Sequence, residues 1–161
     1  MEDSNLKSIL SPQTGRCVSV IDIPDEVFSE RILGDGVAVI PTENEVLSPV
    51  DGTVVQIAET GHAFCIRSDD GIDIMIHIGV DTVNLHGKGF KCFVKAGEKI
   101  KKGDKLASAD IELIENSGFP LHTAILITNF KEIKKMKPLY GDVAAGEDIV
   151  IQYTKKNQES E

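Results

Sequence analysis

The chain has 161 residues, 41% hydrophobic and 27% charged, enough for about one domain with a real core, and no apolar run approaches the ~20 residues of a membrane span. Formal net charge is -9 at pH 7, which argues against nucleic acid, whose binders gain affinity by releasing counterions through lysine and arginine clusters. A basic protein partner fits better.

Residues 1–7 lack the basic start and apolar block of a secretory leader. The three cysteines, Cys17, Cys65 and Cys92, are odd in number and show no CxxC spacing. They fit reduced thiols in a cytoplasmic protein. Short β-branched runs between turn signals predict strands over residues 17–23, 36–40, 53–57, 62–66, 72–78, 105–109, 123–128 and 148–153. Helical pieces are expected only near residues 25–31, 110–116 and 130–135. Such a pattern predicts an all-β sandwich or barrel with short helical turns. A short segment over residues 1–10 precedes the domain, residues 11–153, and residues 154–161, TKKNQESE, read as a disordered polar tail.

Two internal echoes suggest that the β unit is duplicated. Ser11-Pro12-Gln13-Thr14-Gly15 is answered by Ser48-Pro49-Val50-Asp51-Gly52, and Ala96-Gly97-Glu98 by Ala145-Gly146-Glu147.

The chemistry gathers around residues 71–83, GIDIMIHIGVDTV, where His77 closes an alternating strand. Antiparallel partners in a hairpin have residue numbers with a constant sum. A two-residue loop at Asp69 and Asp70 sets that sum to 139 and puts His62 opposite His77, whereas a loop at Asp70 and Gly71 makes them diagonal neighbours. Either register keeps both imidazoles on one face with Phe64, Ile66, Met75 and Asp73. A three-residue loop separates them. A lone histidine at a strand end is usually structural, but a second imidazole, a Thr60 able to orient it, and a Gly79 that lets backbone fold back toward His77 favour chemistry near neutral pH.

These residues resemble the phosphohistidine signature of the glucose-type enzyme IIA family of the bacterial phosphoenolpyruvate-dependent sugar phosphotransferase system. The match includes Thr60-Gly61-His62-Ala63-Phe64, Leu33-Gly34-Asp35-Gly36-Val37-Ala38, Ser48 to Thr53 and Gly87-Lys88-Gly89-Phe90, and spans about residues 11–153. The resemblance implies a duplicated hybrid motif-like β-sandwich and a cytoplasmic phosphocarrier without cofactor. The small protein HPr donates a phosphoryl group to Nε2 of His77, which passes it to a cysteine of a sugar permease IIB domain. It further implies that Nδ1 of His77 bonds the Gly79 carbonyl, and that His62, held by Thr60, stabilises the phosphoryl oxygens. Val27, Phe28, Ile32 and Leu33 match an exposed apolar docking patch, and Asp25 and Asp81 match carboxylates facing partner arginines. Spacing alone equally allows the four apolar residues to be an ordinary core-facing helix.

His86 and His122 have no place in the signature, and Lys134-Lys135-Met136-Lys137 reads as a solvated basic surface. Glu2 and Asp3 do not fit a basic membrane-touching segment, so no direct membrane insertion is expected. No IIB or IIC region accompanies the pattern, which suits a free-standing protein or a domain of a larger permease. Two other readings stay open. One is a zinc hydrolase of related β architecture, with His62 and His77 as ligands and Asp81 as a strained third, or zinc bound across a partner interface. The other is a regulator whose partners change with phosphorylation of His77. A IIA domain does not touch the sugar, so glucose, N-acetylglucosamine, β-glucosides and sucrose are equally compatible.

Overall fold

The structure, a computed structural model, describes residues 5–156. In chain order, β1 (Lys7–Leu10) and β2 (Gly15–Ser19) precede the short helix α1 (Glu26–Ser29) and β3 (Asp35–Pro41). Then come β4 (Glu45–Leu47), β5 (Gly52–Ile57), β6 (Ala63–Ser68), β7 (Asp73–Ile78), β8 (Phe90–Cys92), β9 (Lys99–Ile100) and β10 (Lys105–Ala109). After α2 (Ile111–Asn116), the chain closes with β11 (Thr123–Ile127), β12 (Ile133–Pro138), β13 (Gly141–Val143) and β14 (Ile149–Lys155).

An eight-stranded antiparallel sheet runs β13-β2-β3-β11-β7-β6-β5-β9, and two three-stranded sheets, β1-β14-β12 and β4-β10-β8, pack on it. The sheets are not closed into a barrel, so of the two predicted all-β forms the sandwich is the one adopted. Its main core draws Val39, Phe64, Ile66, Ile74, Ile76 and Ile125 from the large sheet, Ile151 and Tyr153 from one small sheet, and Leu106 from the other. A second, smaller cluster lies on the opposite face of the large sheet. There residues 20–28 bring Val20, Ile23 and Phe28 down onto Ala38, Ala124 and Leu126. β11 is therefore buried on both faces, as its unbroken apolar sequence requires.

The duplication is visible in atomic detail. Ser11 Oγ donates to the Gln13 carbonyl at 2.6 Å and Ser48 Oγ to the Val50 carbonyl at 2.7 Å, both from fully buried positions. Each turn ends on a glycine whose β-carbon would collide with backbone, 2.1 Å from the Ile40 oxygen at Gly15 and 2.2 Å from the Arg67 oxygen at Gly52.

Several boundaries differ from expectation. The strand predicted to reach residue 23 ends at Ser19, because the Ser19 side chain accepts from the Ile21 amide and starts a 3-10 turn over Val20–Asp22. The helix expected near 130–135 is one 3-10 turn, Phe130–Glu132, followed by β12, where pairing with β14 overrides the helix preference of the lysines. Lys134, Lys135 and Lys137 remain exposed on that strand. Residues 7–10 and 154–155, assigned to end segments, pair as strands, with Thr154 buried against β12. The rest of the predicted tail, residues 157–161, lies outside the described residues.

Candidate functional site

The β6–β7 hairpin has neither predicted register. Gly71, at φ 91°, joins Asp69 and Asp70 in a three-residue loop, and Ser68 closes it by exchanging hydrogen bonds with Ile72. Ala63 therefore lies opposite His77, Cys65 opposite Met75 and Arg67 opposite Asp73, while Phe64 and Ile66 pair with Ile76 and Ile74 in the core. His62 nevertheless meets His77. It sits at a bend before β6, just after Gly61 at φ 77°, where the pleat no longer dictates side-chain direction. The backbone still ties the segment to β7, since the His62 carbonyl accepts from the Ile78 amide at 2.8 Å.

The ring centroids of His62 and His77 are 5.0 Å apart and nearly perpendicular, at 81°. Nδ1 of His77 lies 2.9 Å from the Gly79 carbonyl. A carbonyl only accepts, so Nδ1 carries the proton and Nε2 keeps its lone pair. Nδ1 of His62 is 2.6 Å from Thr60 Oγ1, which fixes that ring from the far side. Gly79 holds its carbonyl in place at φ 75°, where a β-carbon would meet Thr82 Cγ2 at 2.5 Å.

Burial lowers the pKa of His77, an effect opposed by the Gly79 hydrogen bond and the charges of Asp25 and Asp81. Burial also lowers that of His62, and the neighbouring His77 adds to the shift. Both shifts favour the neutral imidazole. Two neutral rings, one with a fixed lone pair, can accept and stabilise an electrophilic group.

Of the predicted docking residues, Val27, Ile32 and Leu33 are exposed, Ile32 by 65%. Phe28 is not. It is buried with its ring 5.0 Å from that of His77, so it packs against that imidazole instead of presenting a surface, and this separates it from the predicted patch. Asp25 caps α1 by accepting from the Val27 amide at 2.8 Å. Asp81 is exposed, with left-handed φ of 63°. Sequence reasoning missed the exposed Ile21 and Val83, which lie in 3-10 turns where apolar spacing carries no periodic signal.

His86 is exposed on the loop after Thr82–Leu85. His122 is half-buried, its Nδ1 lacks a hydrogen-bond partner among the described residues, and burial lowers its pKa against the pull of Asp22. Among the described residues no three or more histidine, cysteine, aspartate or glutamate side chains are grouped to hold a metal. Asp81 does not complete a site with the two histidines.

The family model for the phosphoenolpyruvate-dependent sugar phosphotransferase system, EIIA 1, matches residues 7–133. The chain belongs to this family. Among its relatives, the chain is similar to the "PTS system glucose-specific EIIA component" of Buchnera aphidicola subsp. Acyrthosiphon pisum, 41% identical over 92% of each chain. It is also 42% identical to the protein of the same name from Bacillus cereus, over 95% of this chain and 93% of that one. Of solved structures, the glucose permease IIA from Mycoplasma capricolum superposes with a TM-score of 0.86 at 35% identity, over 94% of this chain and 99% of the other. EIIA proteins are phosphocarrier components of the sugar phosphotransferase system, and the paired histidines occupy a site suited to that work. The hydrolase and purely regulatory readings have no support in these relationships.

Proposed function

We propose that His77 is the transient phosphoryl acceptor of this EIIA protein, taking the group from HPr on Nε2 and passing it to a cysteine of a IIB domain in the cytoplasm. The observation that carries the reading is the 2.9 Å contact between His77 Nδ1 and the Gly79 carbonyl, which leaves Nε2 as the nucleophile. In the acceptance step a Nε2–P bond forms as the donor's bond to phosphorus breaks. No proton has to leave Nε2. Delivery reverses the sense of that step, with the thiolate as nucleophile and His77 as leaving group.

His62 donates a hydrogen bond from Nε2 to the phosphoryl oxygens when the Thr60 hydroxyl donates to its Nδ1. Such a bond strengthens as negative charge builds on those oxygens. Val27, Ile32 and Leu33, with Ile21 and Val83, supply an exposed apolar surface, and Asp25 and Asp81 supply charge for the arginines of basic partners. The names of the relatives favour glucose as the sugar served.

Incubation with phosphoenolpyruvate, enzyme I and HPr yields an acid-labile, base-stable adduct in the unmodified protein and none in His77→Gln. His62→Gln is expected to accept phosphate but to deliver it to IIB roughly a hundredfold more slowly. A normal adduct on His77→Gln would remove His77 from the role.

A further inference from the structure

Two peptide planes meet at the α-carbon of Gly79, and the angles between them set where its carbonyl points. Glycine restrains those angles less than any other residue, so the carbonyl that bonds His77 Nδ1 has to be aimed by its surroundings. The Gly79–Val80 plane is held on the side away from His77, where the Val80 amide donates to the Pro120 carbonyl at 3.1 Å. The Ile78–Gly79 plane is held by Thr82. This fully buried residue donates its hydroxyl to the Ile78 carbonyl and lays Cγ2 against Gly79, 2.5 Å from where a β-carbon would stand.

Bringing Thr82 back over Ile78 takes an unusual backbone. Gly79 and Asp81 both have positive φ, 75° and 63°. Among the described residues the Asp81 side chain makes no capping hydrogen bond to the 3-10 turn that follows it. A left-handed residue other than glycine persists where its neighbours over-determine it, and such positions gather at functional sites. The ordinary role of a threonine bonded to a carbonyl four residues back is to close a turn. That role does not explain why the hydroxyl falls on this peptide. The Ile78 amide donates to the His62 carbonyl at 2.8 Å while the Ile78 carbonyl accepts from Thr82, so one residue ties the segments of both imidazoles to the threonine.

We propose that Thr82 is a positioning residue for phosphoryl acceptance: its hydroxyl fixes the Ile78–Gly79 plane, which aims the Gly79 carbonyl at Nδ1 of His77 and keeps the proton off Nε2. The inference rests on the reading of His77 as acceptor. Without the hydroxyl, the plane turns, the carbonyl leaves Nδ1, and His77 populates the tautomer protonated on Nε2, which has no lone pair to offer phosphorus. Thr82 is buried and out of reach of a docked partner, so its loss lowers the rate after docking and leaves docking itself alone.

The test is nitrogen NMR of the imidazoles in the full, unphosphorylated chain near neutral pH, paired with stopped-flow phosphorylation by HPr. The unmodified protein is expected to hold the His77 proton on Nδ1. Thr82→Val keeps the branched shape, and is expected to bring up the form protonated on Nε2 and to slow transfer roughly tenfold at saturating HPr, with the half-saturating HPr concentration unchanged. Thr82→Ser keeps the hydroxyl and is expected to retain the tautomer and stay within about twofold of the unmodified rate. Ser68→Ala loosens the opposite end of the same hairpin, where Ser68 bonds Asp70 and the Ile72 amide, and is expected to lower the urea midpoint without moving the His77 signals. An unchanged tautomer or rate in Thr82→Val, failure of serine to retain both, or an equal shift in Ser68→Ala overturns the proposal. If Thr82→Val does not fold, Thr82→Cys, similar in size and a weaker donor, replaces it, and an unchanged tautomer there overturns the proposal as well. The phosphocarrier reading fails separately, when the unmodified protein takes no phosphate from HPr, because the tautomer measurement still decides whether Thr82 aims the carbonyl.

Discussion

Burial holds the imidazoles of His77, His62 and His122 below their ordinary value of 6.5, so each is discharged in the folded protein before it is in the unfolded chain. Below about pH 6.5 the unfolded state therefore binds more protons. The histidine contribution to stability is complete above that pH and is lost as the pH falls through the folded-state values. Urea midpoints are expected to drop between pH 7 and about 5, less steeply in His77→Gln, and a midpoint that rises over that interval contradicts the assignment. Gly79 provides a second test at this scale. Gly79→Ala places a methyl 2.5 Å from Thr82 Cγ2 on a residue of positive φ, which is expected to cost about 2 kcal/mol and to move the carbonyl that orients His77. Phosphoryl acceptance should fall further than stability explains, and acceptance at the unmodified rate would mean that the carbonyl does not set the nucleophile.

Buried pairing defects show where the two echoed turns diverge. Gln13 occupies in the first turn the place of Val50 in the second, and among the described residues neither Nε2 nor Oε1 of its fully buried amide has a partner. Gln13→Val is expected to raise stability by about 1 kcal/mol in urea denaturation, whereas a loss would show that the amide is satisfied in solution. The turn echo itself was legible because Ser-Pro-x-x-Gly encodes a local hydrogen bond and a close backbone approach. The long strands were legible for a similar reason, since β3, β7 and β11 carry enough β-branched residues to show a period. β4, β8, β9 and β13 have two or three residues each, too few to show one, and β12 is held by its partner rather than by its own preferences. The hairpin register failed by one residue because nothing in Asp69-Asp70-Gly71 says whether Gly71 belongs to the loop or the strand. The histidine pair was still found, since the bend after Gly61 supplied the proximity that the pleat would have denied. Phe28 escaped for a different reason. One turn of helix gives no periodicity to tell a ring turned onto His77 from one turned outward.

At the scale of the molecule, the sandwich places His77, the proposed acceptor, at the end of a central strand, between β6 and β11, on the face covered by residues 20–28. Rigid sheet below and short exposed turns around it suit brief encounters with two different partners in succession. The chain's charge of -9 makes those encounters salt-dependent. Stopped-flow phosphorylation by HPr is expected to slow roughly tenfold between about 50 and 500 mM salt, with the rate after docking unchanged. A salt-independent rate would mean that the carboxylates around the site do not guide association. The most direct test of the whole account is nitrogen and phosphorus NMR on the phosphorylated protein. A single phosphoryl group on Nε2 of His77, with Nδ1 still protonated, is the predicted result. Phosphate on Nδ1 of His77, on His62 or on any other side chain would contradict it.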